Sequence, residues 1–318
     1  MKIAYYEENN YHTEILGTFL EPFIENNNEI IVFNDSDKSD YISYFQKIIN
    51  YEIKKINEFI NLYNLFDIII VGTSSTCSFL NNKSFDLSNI KSKIYLISHL
   101  TEDLEKVIEF KNIVLTPLNK NLNNFYIFPI NRFYTNIKKD KNLCITIGLV
   151  GRFKDTNRSI IDLINLITNY SYLNFCIKIF TRHKKFIPKE INILQSKYPN
   201  KILIYYKVST NDLIKQLNTI NYFCPLSSSN SWYLKDRLSG MIPFAYNFNT
   251  PLLLDYKTNE IYKLKSPIIY KISLCEIIEN ICVKNEADYN KLIEDLVQEK
   301  SEIFYLNNNK LKELFELT

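Results

Sequence analysis

Arg152 and Arg158 stand six residues apart in IGLVGRFKDTNRS (147–159), just after an apolar run and beside Gly151. A glycine lets the main chain approach a ligand, arginines offer paired donors, and a helix opening near Ser159 would aim its first N–H groups at the same spot. Such a set suits phosphate oxygens. It equally describes an ordinary strand-to-helix turn whose arginines face water. A second group, Ser228, Ser229, Lys235, Asp236, Ser239 and Gly240, falls within PLSSSNSWYLKDRLSGMIP (225–243) and combines hydroxyls, a cation, a carboxylate and a glycine before the next apolar run. Histidine is scarce, three in 318 residues, yet His12 and His99 both follow strand-like runs. An imidazole there either binds a substrate hydroxyl or caps a helix. Glu14 and Gly17 accompany His12, and VGTSST (71–76) offers hydroxyls for a sugar or for a helix cap. RHKK (182–185) reads first as solvated charge, and Trp232, the sole tryptophan, suits stacking on a base or sugar as well as a core or rim position.

The elements that must position these residues read as alternating strands and helices. Apolar runs at 2–7, 29–34, 66–72, 93–98, 112–116 and 125–129 are separated by stretches of helical spacing such as 12–27 and 41–64. The rhythm resumes at 143–150, 175–181, 201–208, 221–227, 251–255 and 267–271, with Ser209 or Thr210 as the N-cap of one helix, and the chain reads as helical after 272. Twelve strands exceed the eight of a closed β/α barrel. The expected fold is therefore α/β: two Rossmann-like doubly wound domains facing a cleft, residues 1–135 and 136–318, joined near 130–142 and followed by C-terminal helices. In such sheets ligands bind beyond the carboxyl ends of the strands, where the strand order reverses.

Composition narrows the function classes. Residues 1–135 carry 12 Lys and Arg against 17 Asp and Glu (−5), and residues 136–318 carry 26 against 18 (+8), so the second half is the better host for an anion. The excess is too small and scattered for a nucleic-acid footprint. The six cysteines lack any C-x-x-C spacing and read as reduced thiols; no run approaches a membrane span, and no export signal is visible, which gives a cytoplasmic expectation. No metal-ligand spacing stands out, so no metal is expected.

The segment V-G-R-F, with a second basic residue six positions after its arginine, resembles the opening of the C-terminal domain of GT-B glycosyltransferases, in particular the large retaining family that uses nucleotide-sugar donors. The resemblance implies that Arg152 and Arg158 hold the donor diphosphate with Gly151; the family has Lys where Arg158 stands. PLSSSNSWYLKDRLSGMIPFAYNFNTP (225–251) is similar to that family's serine-rich loop and E-A-M-A-x-G-x-P-V segment, placing Ser228 and Ser229 at the donor. The family's paired glutamates fall on Asp236 and Phe244, so one acid is lost. YLKDRLSG also resembles viral and lipopolysaccharide-type transferases, implying that Lys235, Ser239 and Gly240 lie near the phosphates. His99 takes the place of a histidine facing the donor sugar, and His12 lies where an acceptor or sugar sits. Together these imply metal-independent, cofactor-free transfer of a sugar from a nucleotide-diphosphate donor, with retention, to a glycan, protein or lipid, in the cytoplasm or, for a viral chain, the host cytoplasm or virion. A catalytically degenerate GT-B scaffold, suggested by Phe244, and a GT-B-shaped sugar-nucleotide epimerase remain the alternatives.

Overall fold

The computed structural model describes residues 1–9, 12–35, 40–81, 87, 90, 93–99, 110–118, 125–134, 144–153, 158–228, 231–235 and 237–317. It divides into two compact units, Met1–Phe133 with Ile303–Thr318, and Tyr134–Glu302.

Unit 1 is built on a seven-stranded, wholly parallel sheet. Its strands are β1 (Lys2–Tyr6), β2 (Glu29–Phe33), β3 (Glu52–Lys54), β4 (Ile68–Val71), β5 (Ile94–Ser98), β6 (Lys111–Val114) and β7 (Phe125–Tyr126), in the order β3-β2-β1-β4-β5-β6-β7. Parallel strands covered on both faces read as continuous apolar runs, as in IIIV of β4 and IYLIS of β5, every residue of which is buried. Each of the six strand runs read in the first half contains a strand. The stretch 41–64, read as one helix, holds two, Asp40–Gln46 and Ile56–Leu62, with β3 between them. That strand lies at the sheet edge and contributes a single aliphatic side chain, Ile53, which is 38 % exposed, so no apolar alternation marks it. Tyr6, Phe33, Phe59, Phe66 and Phe79 pack in one buried aromatic cluster against the β4 side.

Unit 2 has a four-stranded parallel sheet, β8 (Ile145–Val150), β9 (Phe175–Thr181), β10 (Ile202–Tyr206) and β11 (Tyr222–Phe223), in the order β10-β9-β8-β11, and a parallel pair, β12 (Leu253–Asp255) with β13 (Ile268–Tyr270). Phe223 bridges to Leu252 and carries the parallel pairing on towards that pair. Gly148, in the middle of β8, makes room for Ile220 and Phe223, whose atoms would lie 3.0 and 3.1 Å from a Cβ at that site. The helix Ile160–Tyr170 buries Ile160, Leu163, Leu166 and Ile167, the three-four spacing of one face, and Ser159 caps it by accepting the Asp162 N–H. Ser209 likewise caps Thr210–Leu217.

Both sheets have the doubly wound strand order expected of Rossmann-like folds. The terminal residues depart from the sequence division. The last helix, Glu286–Leu314, belongs to unit 1 from Ile303 onward, where Leu311, Leu314 and Phe315 are buried and Phe315 packs on Phe23 and Tyr95, with ring centroids 5.0 and 4.8 Å away.

Candidate functional site

In unit 1 the strand order reverses between β1 and β4, because β2 and β3 extend from one side of β1 and β5 to β7 from the other side of β4. The residues just past these two strands are Glu7 and the pair Gly72 and Thr73. The Glu7 side chain has no exposed surface, and its Oε1 accepts the Asn9 N–H at 2.6 Å while its Oε2 accepts the Thr73 hydroxyl at 2.8 Å. Burial raises its pKa from 4.5 to about 7 against the opposing pull of those two donors and of His12, with Glu14 adding to the rise. Only glycine fits at 72: a Cβ there would stand within 2.6 Å of the Tyr5 hydroxyl and nearer still to Glu7 Oε2. That hydroxyl is buried with no hydrogen-bond partner among the described residues.

The same turn fixes His99. Its Nε2 lies 2.9 Å from the Gly72 carbonyl oxygen, which can only accept, so Nε2 carries the hydrogen. Burial and the neighbouring His12 hold the His99 ring well below the usual histidine pKa. A neutral ring protonated at Nε2 has a bare Nδ1, an acceptor. His12 stacks on it with ring centroids 3.9 Å apart, and its Nδ1 is 3.9 Å from Glu14 Oε1. The structure thus unites the two histidines singled out in the sequence. Gly17 is a packing position, where a Cβ would strike Phe45. Two hydroxyls of VGTSST are turned inward, Thr73 to Glu7 and Ser74 to Ser98 at 3.2 Å, while Ser75 is exposed.

In unit 2 the reversal falls between β8 and β11. Gly151, directly after β8, has φ +105°, a conformation that side chains resist, and its N–H donates to the Phe180 carbonyl at the end of β9. Arg152 is exposed, its guanidinium 4.9 Å over the Phe186 ring. Arg158 corrects the expectation of a second phosphate fork. It is 2 % exposed; Nε donates to the Arg152 carbonyl at 3.0 Å, Nη2 to Val150 at 2.6 Å and Nη1 to Pro225, with the Met241 sulfur 3.4 Å away. A fork so occupied ties the loop after β8 to the loop after β11. The main chain continues the tie: Ser159 N–H donates to Leu226 O at 2.8 Å, and residue 158 bridges to Ser227.

The remaining expected residues follow this staple in the sequence. The Ser228 carbonyl accepts the Ser231 N–H, and Lys235 is exposed after the turn Trp232–Leu234. The Ser239 hydroxyl is buried with no partner among the described residues, and Gly240, exposed and with open space where a Cβ would be, starts the helix Met241–Asn247. Ser229, Asp236 and the Trp232 side chain lie outside the described residues. Phe244, at the lost acidic position, is 8 % exposed and packs on Phe248. From 182–185, Lys184 and Lys185 lie over Tyr206 and Phe186. Among the described residues no three His, Cys, Asp or Glu are grouped to hold a metal, and no helix is long and apolar enough to cross a membrane. Sequence reasoning missed Glu7 and Gly72. The one signal for Glu7 was a carboxylate ending the otherwise apolar run of KIAYYE.

No family model matches the sequence, and no curated protein matches it. Solved structures share the fold along the whole chain. HepE from Anabaena in complex with UDP-glucose has a TM-score of 0.69 at 11 % identity, covering 100 % of both chains. Trehalose-6-phosphate synthase OtsA gives 0.64 at 9 % identity with 100 % of both covered. The lipopolysaccharide outer core galactosyltransferase WaaB in its apo form gives 0.56 at 13 %, covering 98 % of this chain and 99 % of the other. The chain has the GT-B fold of these glycosyltransferases.

Two outcomes follow. Arg158→Met leaves three carbonyls without their donor and costs roughly 2–4 kcal/mol in urea unfolding, and Arg158→Lys, one ammonium for a three-way fork, recovers less than half of it. Glu7 binds its proton more tightly folded (about 7) than unfolded (4.5), so its contribution to stability is full below pH 4.5 and falls as pH rises to about 7. Glu7→Gln removes this fall, on the order of 3 kcal/mol across the window. Parallel pH–stability curves for the two proteins would rule out the shift.

Proposed function

We propose that the chain is a glycosyltransferase that takes a sugar from a nucleoside diphosphate donor. The observation that carries the reading is the unit 2 switch point: Gly151 and the exposed guanidinium of Arg152 stand where doubly wound sheets receive ligands, on a chain whose fold coincides end to end with a protein solved with UDP-glucose. Arg152 neutralises the charge that develops on the departing diphosphate, a task that needs no metal. Arg158 holds the loop that carries it. The buried Ser239 hydroxyl and the Gly240 N–H at the start of the next helix complete the donor side, with Ser228 and Lys235 at its margin. His99 and His12 in unit 1 take hydroxyls of the sugar or acceptor. The resemblance that introduced these residues implies retention at the anomeric carbon, and the reaction is placed in the cytoplasm with a glycan, protein or lipid as acceptor.

Phe244 favours a second reading, a sugar-nucleotide binding protein without transfer. An acid at that position would contact donor hydroxyls, and here a phenyl ring fills the core instead. Product analysis with UDP-glucose and an acceptor panel separates the two.

The test is thermal unfolding of the protein with UDP, GDP, ADP, CMP and dTDP, repeated on Arg152→Ala. A ligand bound only to the native state at 100 times its Kd adds about 2.7 kcal/mol. One nucleotide should raise Tm by several degrees in the wild type and much less in the variant. No rise with any of them would overturn the proposal.

A further inference from the structure

Strand β8 leaves one main-chain edge uncovered just before the turn that carries Arg152. Its pairing with β11 ends at Gly148 and Phe223, while its pairing with β9 runs on to Val150. The Gly148 carbonyl still accepts the Cys224 N–H, but the next groups on that edge, the N–H and carbonyl of Val150, have no strand beside them. Two side chains take them instead. The Val150 carbonyl accepts Arg158 Nη2 at 2.6 Å, and the Val150 N–H donates to the Met241 sulfur at 3.2 Å, which also lies 3.4 Å from Arg158 Nη1. A main-chain N–H shielded from water needs an acceptor, and a thioether is a weak one. Met241 is 2 % exposed and is the first residue of the helix Met241–Asn247, so its sulfur links the end of β8 directly to the segment that begins with Ser239. Gly151 and Arg152 follow one end of this link, and Ser239 and Gly240 precede the other.

We propose that Met241 is a positioning residue for the nucleotide donor: its sulfur sets the turn of Gly151 and Arg152 against Ser239 and Gly240, so that both pairs meet one diphosphate. The acceptor, and not the bulk of the side chain, has this role, because a methylene in place of sulfur fills nearly the same volume and accepts nothing. Every contact involved lies within unit 2. The inference rests on reading unit 2 as the donor side of a glycosyltransferase.

The chain has only two methionines, and Met1 is 51 % exposed, so replacing both probes one buried site with the other as control. Norleucine puts a methylene where each sulfur stands; selenomethionine keeps an acceptor of similar size. The nucleotide among UDP, GDP, ADP, CMP and dTDP that raises Tm should bind the norleucine protein about fivefold more weakly than the wild type, by calorimetric titration at a temperature where both are folded. The selenomethionine protein should bind it as the wild type does. With 13C-methyl methionine in the wild type, the same nucleotide should move the Met241 methyl signal and leave that of Met1 in place. Equal affinity of the norleucine and wild-type proteins overturns the proposal, even where the norleucine form melts earlier, since Met241 would then serve packing alone. A selenomethionine protein as weak as the norleucine one overturns it too. So does a Met241 methyl signal unmoved by a nucleotide that binds, a result that needs no substituted protein to fold. In these three cases a nucleotide binds and the transferase reading stands. If no nucleotide raises Tm, that reading fails and the donor role of Met241 fails with it.

Discussion

A guanidinium carries five N–H donors in a plane, and when it is taken out of water every acceptor it meets must come from the protein. Arg158 meets this demand with main-chain carbonyls, from Val150 and Arg152 on one loop and Pro225 on another. The second of these loops has little regular structure to hold it, since β11 is only two residues long. The positive φ of Gly151 and of Leu226, the Ser159 cap and the start of the following helix all sit within this clasp. The Arg152 side chain, unlike that of Arg158, takes no part in the clasp and stays exposed.

The two units use one topological position for opposite chemistry. Each sheet reverses direction beside its first strand, and each places its scarce glycine at that point, Gly72 in one and Gly151 in the other. In unit 1 the glycine makes space for a buried acid and a phenol. In unit 2 it lets the main chain turn beside a buried cation. The division of charge along the sequence, −5 before residue 136 and +8 after it, follows the same partition.

Much of this was legible because parallel strands buried on both faces leave unbroken apolar runs; every such run proved to hold a strand. Strand β3 was hidden because an edge strand needs no apolar alternation. The stacking of His12 on His99 was foreshadowed only by each lying after a strand, since residues 87 apart in sequence give no sign of contact. Arg158 was recognised as important for the wrong reason: sequence marks a guanidinium but not whether its partners are a ligand or the chain itself. Glu7 was passed over because acid content is read as surface until burial is known.

The course of the final helix sets an order on assembly. Phe23 and Tyr95 face Phe315, and the Asn307 amide donates to the Phe128 carbonyl at 2.6 Å, so the first unit borrows part of its interior from residues that come after the whole of the second unit in the chain. While the chain is emerging, that interior stays open until the whole of the second unit has been made. The unit that begins earlier in the chain is thus completed after the one that follows it, and a nascent-chain chaperone would find its apolar target there.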